Sequence, residues 1–515
     1  MTTSHSEFVN TMLTTSPTKR DLIQLLWNLI RKNKSVMLLS HIPLYLAAYN
    51  ATLSETDQLI LLILQYYEQN GIKINEYRPY LWSNAAAIHY SVKGDASTAL
   101  WRQPSTSEVL ALFEREIVEN TIKCYSVNRS LQSNKLHSAG DIYDPAFYLP
   151  LLCYLLSENN IVACYKVTQS GALALILMAC SSNHSEVRMA AYTAISRYYF
   201  HLESSSSKEK LLWMRLIDSL RNGILTAESN LEATRLSCLV STFLARTSLI
   251  ATQPLHPLYL PLHNFLMVKP ALDLNTIPEL LQLFHSSDVQ HKDHRHWILE
   301  TIRDGIKMEK DVEVALKCML YKMSLDFFTC ILSDVKTKKL ILEVIESSTK
   351  IPKSCLLLVR GYGLIPWLTE TAVRLEICET EYVTLLISIV HNILDALSCV
   401  KQEYYCYKVT LLRILLSLKS NLTRGLSIRS FRNYLDLLEK LLMSKDLKNI
   451  ISKQDVRDIV DFSKDLVGRV DECEDMLNYG CNFVNKVEKS NVEDELEATR
   501  KSLQALVWTW YRYGT

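Results

Sequence analysis

The chain has 515 residues, of which only 12 are glycine and 13 proline, against average usage of roughly 7% and 5%. Sheets, tight hairpins and phosphate-cradling loops consume glycine, so an all-β or Rossmann-type enzyme is disfavoured. The hydrophobic (48%) and charged (22%) fractions describe an ordered chain, longer than the roughly 250–300 residues at which one compact core stops growing. With 56 basic against 55 acidic residues the net charge is +1, which excludes nucleic-acid coating by overall basicity and leaves room only for a local basic patch.

Residues 1–20 carry no apolar run of the kind that opens a secretory signal. Arg31-Lys32-Asn33-Lys34 is too short to count as a nuclear-import signal. Leu22, Leu25, Leu26 and Leu29 follow the 3-and-4 spacing of an amphipathic helix over 21–30. Ser54-x-x-Asp57 before Leu59–Leu64 and Ser105-x-x-Glu108 before 109–125 have the form of capping boxes, the Asp version being the weaker. Between them, residues 71–104 hold Gly71, Pro79, Gly94 and Pro104 without helical periodicity and read as a long loop or irregular insertion. Residues 126–143 are a second weak stretch and a boundary candidate.

Further amphipathic segments are expected near 145–157, 161–180, 185–203, 208–222, 230–247, 258–268, 276–285, 292–304 and 311–332. More follow near 335–347, 381–399, 403–419, 430–443 and 492–512. Breaks fall at Ser204–Ser207, Asn222-Gly223, Gly361-Tyr362-Gly363 and Asn421–Gly425. Helices alternating with short turns suit an all-α, HEAT/armadillo-like helical-repeat solenoid. Two long uncharged windows, between Lys166 and Glu186 and between Arg246 and Lys269, lack the roughly 18–20 consecutive apolar residues of a spanning helix, so no membrane association is expected. Thirteen cysteines, scattered from Cys124 to Cys481 without a C-x-x-C pair, read as reduced thiols of a cytosolic or nuclear protein.

The repeat reading rests on one good match and two echoes. Asn183-His-Ser-Glu-Val187-Arg188-Met-Ala190-Ala191-Tyr-Thr-Ala194-Ile195 has the form of a HEAT second helix, in which a polar turn precedes Val-Arg and small residues let neighbouring helices approach. In that pattern the arginine is able to tie to the turn of an adjacent repeat. Weaker echoes are Leu231-Glu-Ala233-Thr-Arg235-Leu-Ser-Cys238-Leu239 and Lys292-Asp293-His-Arg295-His-Trp297-Ile298-Leu299. The interval from Arg188 to Arg235 suits a unit of about 40–47 residues, and that from Arg235 to Arg295 needs an insertion.

Candidate chemistry is sparse. His285, His291, His294 and His296 form a histidine-rich stretch, but no H-E-x-x-H occurs and no cysteine pair completes a tetrahedral set, so a structural or surface role is expected and no metal. Arg360-Gly361-Tyr362-Gly363 has two glycines of a dinucleotide loop without the third and reads as a turn ending a helix. No G-x-S-x-G and no P-loop lysine motif is present, so neither catalysis nor a cofactor is expected. The one local charge asymmetry runs from Lys408 to Arg432, with Lys408, Arg413, Lys419, Arg424, Arg429 and Arg432 and no acidic residue. Such a strip neutralises phosphates and makes affinity fall with salt. The plainer reading is a solvated helix surface balanced in space by the acid-rich segment 445–515. The interleaved Tyr404, Tyr405, Tyr407, Phe431 and Tyr434 read as core rather than as stacking platforms for bases.

Longer strings are more specific. Pro257-Leu-Tyr-Leu-Pro-Leu-His-Asn-Phe-Leu-Met-Val-Lys-Pro-Ala-Leu-Asp-Leu-Asn-Thr-Ile-Pro278 continues into Glu279-Leu-Leu-Gln-Leu-Phe-His-Ser-Ser-Asp288, and then through His291–Glu300 to Arg303-Asp-Gly305. This block resembles the carboxy-terminal region of the family of nucleolar pre-ribosomal-associated protein one, also called unhealthy ribosome biogenesis protein one. Tyr143-Asp-Pro-Ala-Phe147, the following Leu149-Pro-Leu-Leu152, and Leu358-Val-Arg-Gly-Tyr-Gly-Leu-Ile365 are similar to further signatures of that family. The likeness covers roughly 141–370 and divides the chain into amino-terminal helices (1–140), a helical-repeat region (141–370) and carboxy-terminal helical repeats (371–515).

The resemblance implies a non-catalytic, α-helical factor of the nucleus and nucleolus. It would associate with early pre-ribosomal particles of the large subunit while pre-ribosomal RNA folds and is processed, beside other assembly factors including RNA helicases. The family's proteins are far longer than this chain. The alternative is a protein-only helical-repeat adaptor that never touches RNA, which the near-zero net charge favours.

Overall fold

The computed structural model describes residues 7–92, 103–132, 136, 140–226, 234–375, 380–400, 405–422, 425–444, 447, 450–468, 470–479 and 494–514. Its architecture is all-α. Helices packed in sequential pairs make the HEAT/armadillo-like helical repeat, and the chain divides into two compact units, Met1–Gly305 and Ile306–Thr515.

In the first unit, Ala172–Ala179 is buried on every side and packs against Cys238–Ile250, which packs in turn against His291–Gly305. The first two of these read as near-continuous apolar runs because almost no face meets water, whereas His291–Gly305 keeps Lys292 and Asp293 exposed. Outer helices are amphipathic: Ser185–Ser204 lies on Pro145–Leu155 and buries Val187, Ala191, Ala194, Ile195 and Tyr198, while Glu186, Met189 and Phe200 face solvent. The expected segment 161–180 is broken at Gly171, whose φ of +81° places it in the left-handed region that glycine enters without a Cβ penalty. The segment 311–332 is likewise two helices, Glu309–Lys317 and Leu320–Phe328, divided at Met319 (φ +55°). The run 109–125 is two as well, Thr106–Leu110 and Arg115–Lys123.

The irregular reading of 71–104 is corrected by the helix Ser83–His89, which packs on Ile42–Ala48; residues 93–102 lie outside the described residues. Near residue 140 the chain forms a strand, Gly140–Tyr143, that pairs antiparallel with Thr52–Leu53 and ties the amino-terminal helices to those that follow. Both expected caps are present in different degrees. Ser105 and Glu108 close a full box, whereas Ser54 caps Glu55–Gln69 alone because Asp57 turns to Asn50 and Thr52 instead.

The break expected at Asn222-Gly223 is interior to the helix Lys210–Thr226. Gly223 is there because a Cβ would overlap the Leu272 carbonyl oxygen, on a segment already fixed by Leu272 N–H donating to the Ser219 carbonyl at 2.9 Å. Helix propensity alone favours alanine by about 1 kcal/mol. The backbone clash reverses that sign, so Gly223→Ala will destabilise the unit by about 1–3 kcal/mol in a urea titration; a stabilised variant would contradict this packing.

In the second unit, Thr380–Ser398 packs on both Val335–Thr349 and Pro352–Gly361. Its stretch Glu381–Ser398, with a mean hydropathy of 1.2, is long and apolar enough to cross a membrane by length and composition. Here Leu386, Ile389, Val390 and Ile393 are buried in the unit's core, which accounts for that composition. Pro352–Gly361 and Leu364–Arg374 meet at the expected turn, with Gly363 in the left-handed region. Leu364–Arg374 packs on Tyr405–Leu418, and Ile428–Leu442 on Glu495–Gly514.

Candidate nucleic-acid interface

The basic strip is carried by Tyr405–Leu418, a short 3-10 turn Lys419–Asn421 and Ile428–Leu442. The first helix buries Leu411, Leu412, Ile414, Leu415 and Leu418, so its register turns Arg413 outward and leaves Lys408 half-buried. In the second, Ser427 caps the first turn by accepting from Ser430 N–H, and Phe431, Tyr434, Leu435 and Leu438 form the buried face. Arg429 is exposed on the opposite side and Arg432 is half-buried. Arg424 and Tyr404 lie outside the described residues. Phe431 and Tyr434 are core, the Tyr434 hydroxyl donating to the Leu415 carbonyl at 3.0 Å, while Tyr405 is exposed and Tyr407 half-buried.

The structure separates the strip's members by what they face. Lys419 Nζ donates to Asp455 Oδ1 at 2.7 Å and to Asp458 Oδ2 at 2.6 Å, both on Lys453–Val467. Burial pulls the Lys419 ammonium down, but the two carboxylates outweigh it and hold its pKa above the ordinary lysine value. Asp455 is lowered in turn, its own burial being outweighed by Lys419 and the Ser452 hydroxyl and amide; Asp458 is lowered by Lys419 and Gln454. Arg432 stands 4.0 Å from Asp436 one turn on. Lys408, Arg413 and Arg429 make no ion pair among the described residues. Of the strip, Arg413 and Arg429 thus expose their guanidiniums while Lys419 is neutralised by acids, and Arg429 and Arg432 line a cleft of about 390 Å³ together with Glu495 and Thr499.

The repeat arginines have structural work. Arg188 donates to the Ser182 and Asn183 carbonyls of its own turn, and Arg235 reaches Ser181 in that same turn from 54 residues further along the chain. Arg235 lies before the helix Cys238–Ile250 rather than in it, and 231–233 lie outside the described residues. Arg295 donates to the Phe284 carbonyl. In the histidine-rich stretch, His294 is buried with Nδ1 2.9 Å from Ser286 Oγ, and His291 Nδ1 is 3.1 Å from the Asp288 carbonyl. Among the described residues no three His, Cys, Asp or Glu side chains are grouped as a metal site. A second cleft, about 740 Å³, lies between Glu55–Gln69 and Pro145–Leu155, with Leu61, Leu64, Phe147 and Leu151 in its walls. No sequence signal pointed to it, because its walls come from helices far apart in the chain.

Fold and surface together define an all-α helical-repeat protein whose candidate site is the basic strip of 408–432. Residues 173–367 match the family model described as nucleolar pre-ribosomal-associated protein 1. Proteins of that name from Homo sapiens and Mus musculus are each 31% identical to this chain, over 411 and 413 residues. The chain belongs to the nucleolar pre-ribosomal-associated protein 1 family. The matches take in 76% of this chain and 18% of each relative.

Proposed function

We propose that this chain is a non-catalytic scaffold in nucleolar large-subunit ribosome biogenesis, which joins early pre-ribosomal particles and contacts pre-ribosomal RNA through the basic strip. The observation that carries the reading is the kinship, over 76% of the chain, with proteins named for their association with pre-ribosomes. The exposed Arg413 and Arg429 support direct contact, since phosphate recognition needs guanidiniums not already spent on carboxylates. Lys419, held by Asp455 and Asp458, contributes least.

Ultraviolet crosslinking in cells, with the attached RNA sequenced and the crosslinked peptides mapped, tests the proposal. Crosslinks are expected on precursor large-subunit RNA and on peptides within 405–434. In vitro, Arg413→Ala with Arg429→Ala will flatten the slope of log affinity against log salt by roughly 0.7 for each single-strand phosphate no longer neutralised; Lys419→Ala will flatten it less. An unchanged slope in the double variant removes the strip from the reading. The protein-only adaptor is favoured by the carboxylates on Lys419, and it predicts particle association that survives nuclease treatment with no RNA crosslinked.

A further inference from the structure

We propose that the cleft lined by Arg429, Arg432, Asn433, Asp436, Glu495 and Thr499 takes one unpaired guanosine of a single-stranded RNA. This rests on the RNA reading above and adds the nucleotide and the residues that select it. Four of the six residues recur at i, i+3, i+4 and i+7 of Ile428–Leu442, so they form one stripe along the helix. Glu495 and Thr499 are one turn apart on Glu495–Gly514, which packs against it. At about 390 Å³ the cleft has the dimensions of a small-molecule site rather than of a groove for a duplex or a helix.

Its charge pattern chooses among ligands. A cleft built for a bare phosphodiester would not carry two carboxylates, which repel the phosphate and cancel the two guanidiniums. A nucleotide uses both signs. Guanidiniums suit the phosphate and the O6/N7 acceptor edge of guanine, while a carboxylate accepts from a pair of adjacent donors. Guanine alone presents two such donors, N1–H and the N2 amino group, on its Watson–Crick edge. Adenine and cytosine set a ring-nitrogen acceptor beside their amino group, and uracil flanks its one N–H with two carbonyls, so each of them meets a carboxylate with lone-pair repulsion. In a duplex that edge is consumed by pairing and the deep groove of A-form RNA is closed to side chains, so the guanosine is one in a loop, bulge or end.

The placement of the groups fits these roles. Arg429, exposed and without an ion pair among the described residues, stands at the mouth for the phosphate. Arg432 and Asp436, 4.0 Å apart, present a donor and an acceptor side by side. Thr499 is buried, with its hydroxyl given to the Glu495 backbone carbonyl at 2.7 Å, so it closes the floor and leaves the Glu495 carboxylate as the acceptor on that wall.

Fluorescence polarisation of the full chain with oligouridine carrying one central G, inosine or A tests this. The G oligonucleotide should bind about tenfold or more tighter than the A version, with inosine, which lacks the N2 amino group, between them. Asp436→Asn together with Glu495→Gln should erase the difference between G and A, and Arg429→Ala should weaken binding to all three. Equal affinity for G and A overturns the inference and leaves the RNA reading standing. A preference for G that survives the Asn/Gln double variant assigns it elsewhere and overturns the cleft. Failure to bind any of the oligonucleotides overturns both readings. Circular dichroism of each variant separates misfolding from impaired recognition, and a misfolded double variant is replaced by the single Glu495→Gln at the exposed helix end, where the same loss of preference is required.

Discussion

Alanine in place of Asp144 will lower the free energy of unfolding of the first unit by about 3–5 kcal/mol. The carboxylate is fully buried and faces the equally buried Arg129, with Nε 3.0 Å from Oδ1 and Nη2 2.7 Å from Oδ2. The same Oδ1 caps Pro145–Leu155 by accepting from Ala146 N–H at 2.9 Å. Removing it strands a guanidinium in the core and leaves the first turn of the helix without its acceptor, and both costs point the same way. A nearby control is the exposed Arg115–Glu119 pair, where Glu119→Ala will cost no more than about 0.5 kcal/mol because water screens both partners. Urea titration of the two variants, with hydrogen exchange over 140–155 to place the loss, checks the contrast. A cost for Asp144→Ala as small as the control's would mean that the buried pair does not anchor this helix.

That anchor explains part of what the sequence made visible. Tyr143-Asp144-Pro145 stood out as a string, and in the fold each member has a separate job. The Tyr143 hydroxyl accepts from Glu114 N–H, Asp144 pairs and caps, and Pro145 occupies the first helical turn where its missing N–H costs nothing. The length of Ser185–Ser204 was legible for a similar reason, since its buried positions repeat on one face until the serine run ends them. Other elements had signals that went unread. Ser452-x-x-Asp455 is a complete capping box at the start of Lys453–Val467, and Pro352 opens its helix at the first turn. Met319 in the left-handed region had no signal at all, because tertiary packing rather than the residue sets its backbone.

The basic strip was legible as composition and illegible as geometry. Six basic residues between Lys408 and Arg432 show a charge asymmetry, but which of them meets solvent depends on partners elsewhere in the chain. Lys419 finds its carboxylates 36 and 39 residues later, and the far wall of the Arg429–Arg432 cleft comes from the last helix. No periodicity in 408–432 encodes either contact. The same limit applies to Arg188 and Arg235, whose spacing suggested a repeat while nothing in the sequence showed that both would bind the Ser181–Asn183 turn.

Asp57→Ala will destabilise the first unit by about 3–5 kcal/mol, and Asp57→Asn by less, with a difference from wild type that depends on pH. Asp57 is buried, accepts from Asn50 N–H at 3.2 Å, Thr52 N–H at 3.1 Å and the Thr52 hydroxyl at 2.5 Å, and shares its surroundings with buried Lys19, whose Nζ donates to the Ala48 carbonyl at 2.8 Å. Burial raises the Asp57 carboxyl above the usual range, against the pull of those hydrogen bonds and of Lys19. A folded-state pKa above the unfolded value of about 3.9 means that the native state holds the proton more tightly, so the group's contribution is fully present below that value and is lost as pH rises through the folded pKa. Asparagine does not titrate. The stability of wild type relative to Asp57→Asn will therefore be greatest in acid and shrink toward neutral pH, and a pH-independent difference would refute the raised carboxyl. The two carboxylates meet at one junction, because Asp144 N–H donates to the Ala51 carbonyl between the Asn50 and Thr52 amides that Asp57 holds. Asp57→Ala and Asp144→Ala will not add. Once one has released the 50–53 segment the other has less left to lose, and a double-mutant cycle will show coupling of about 0.5–3 kcal/mol, which independent sites would lack.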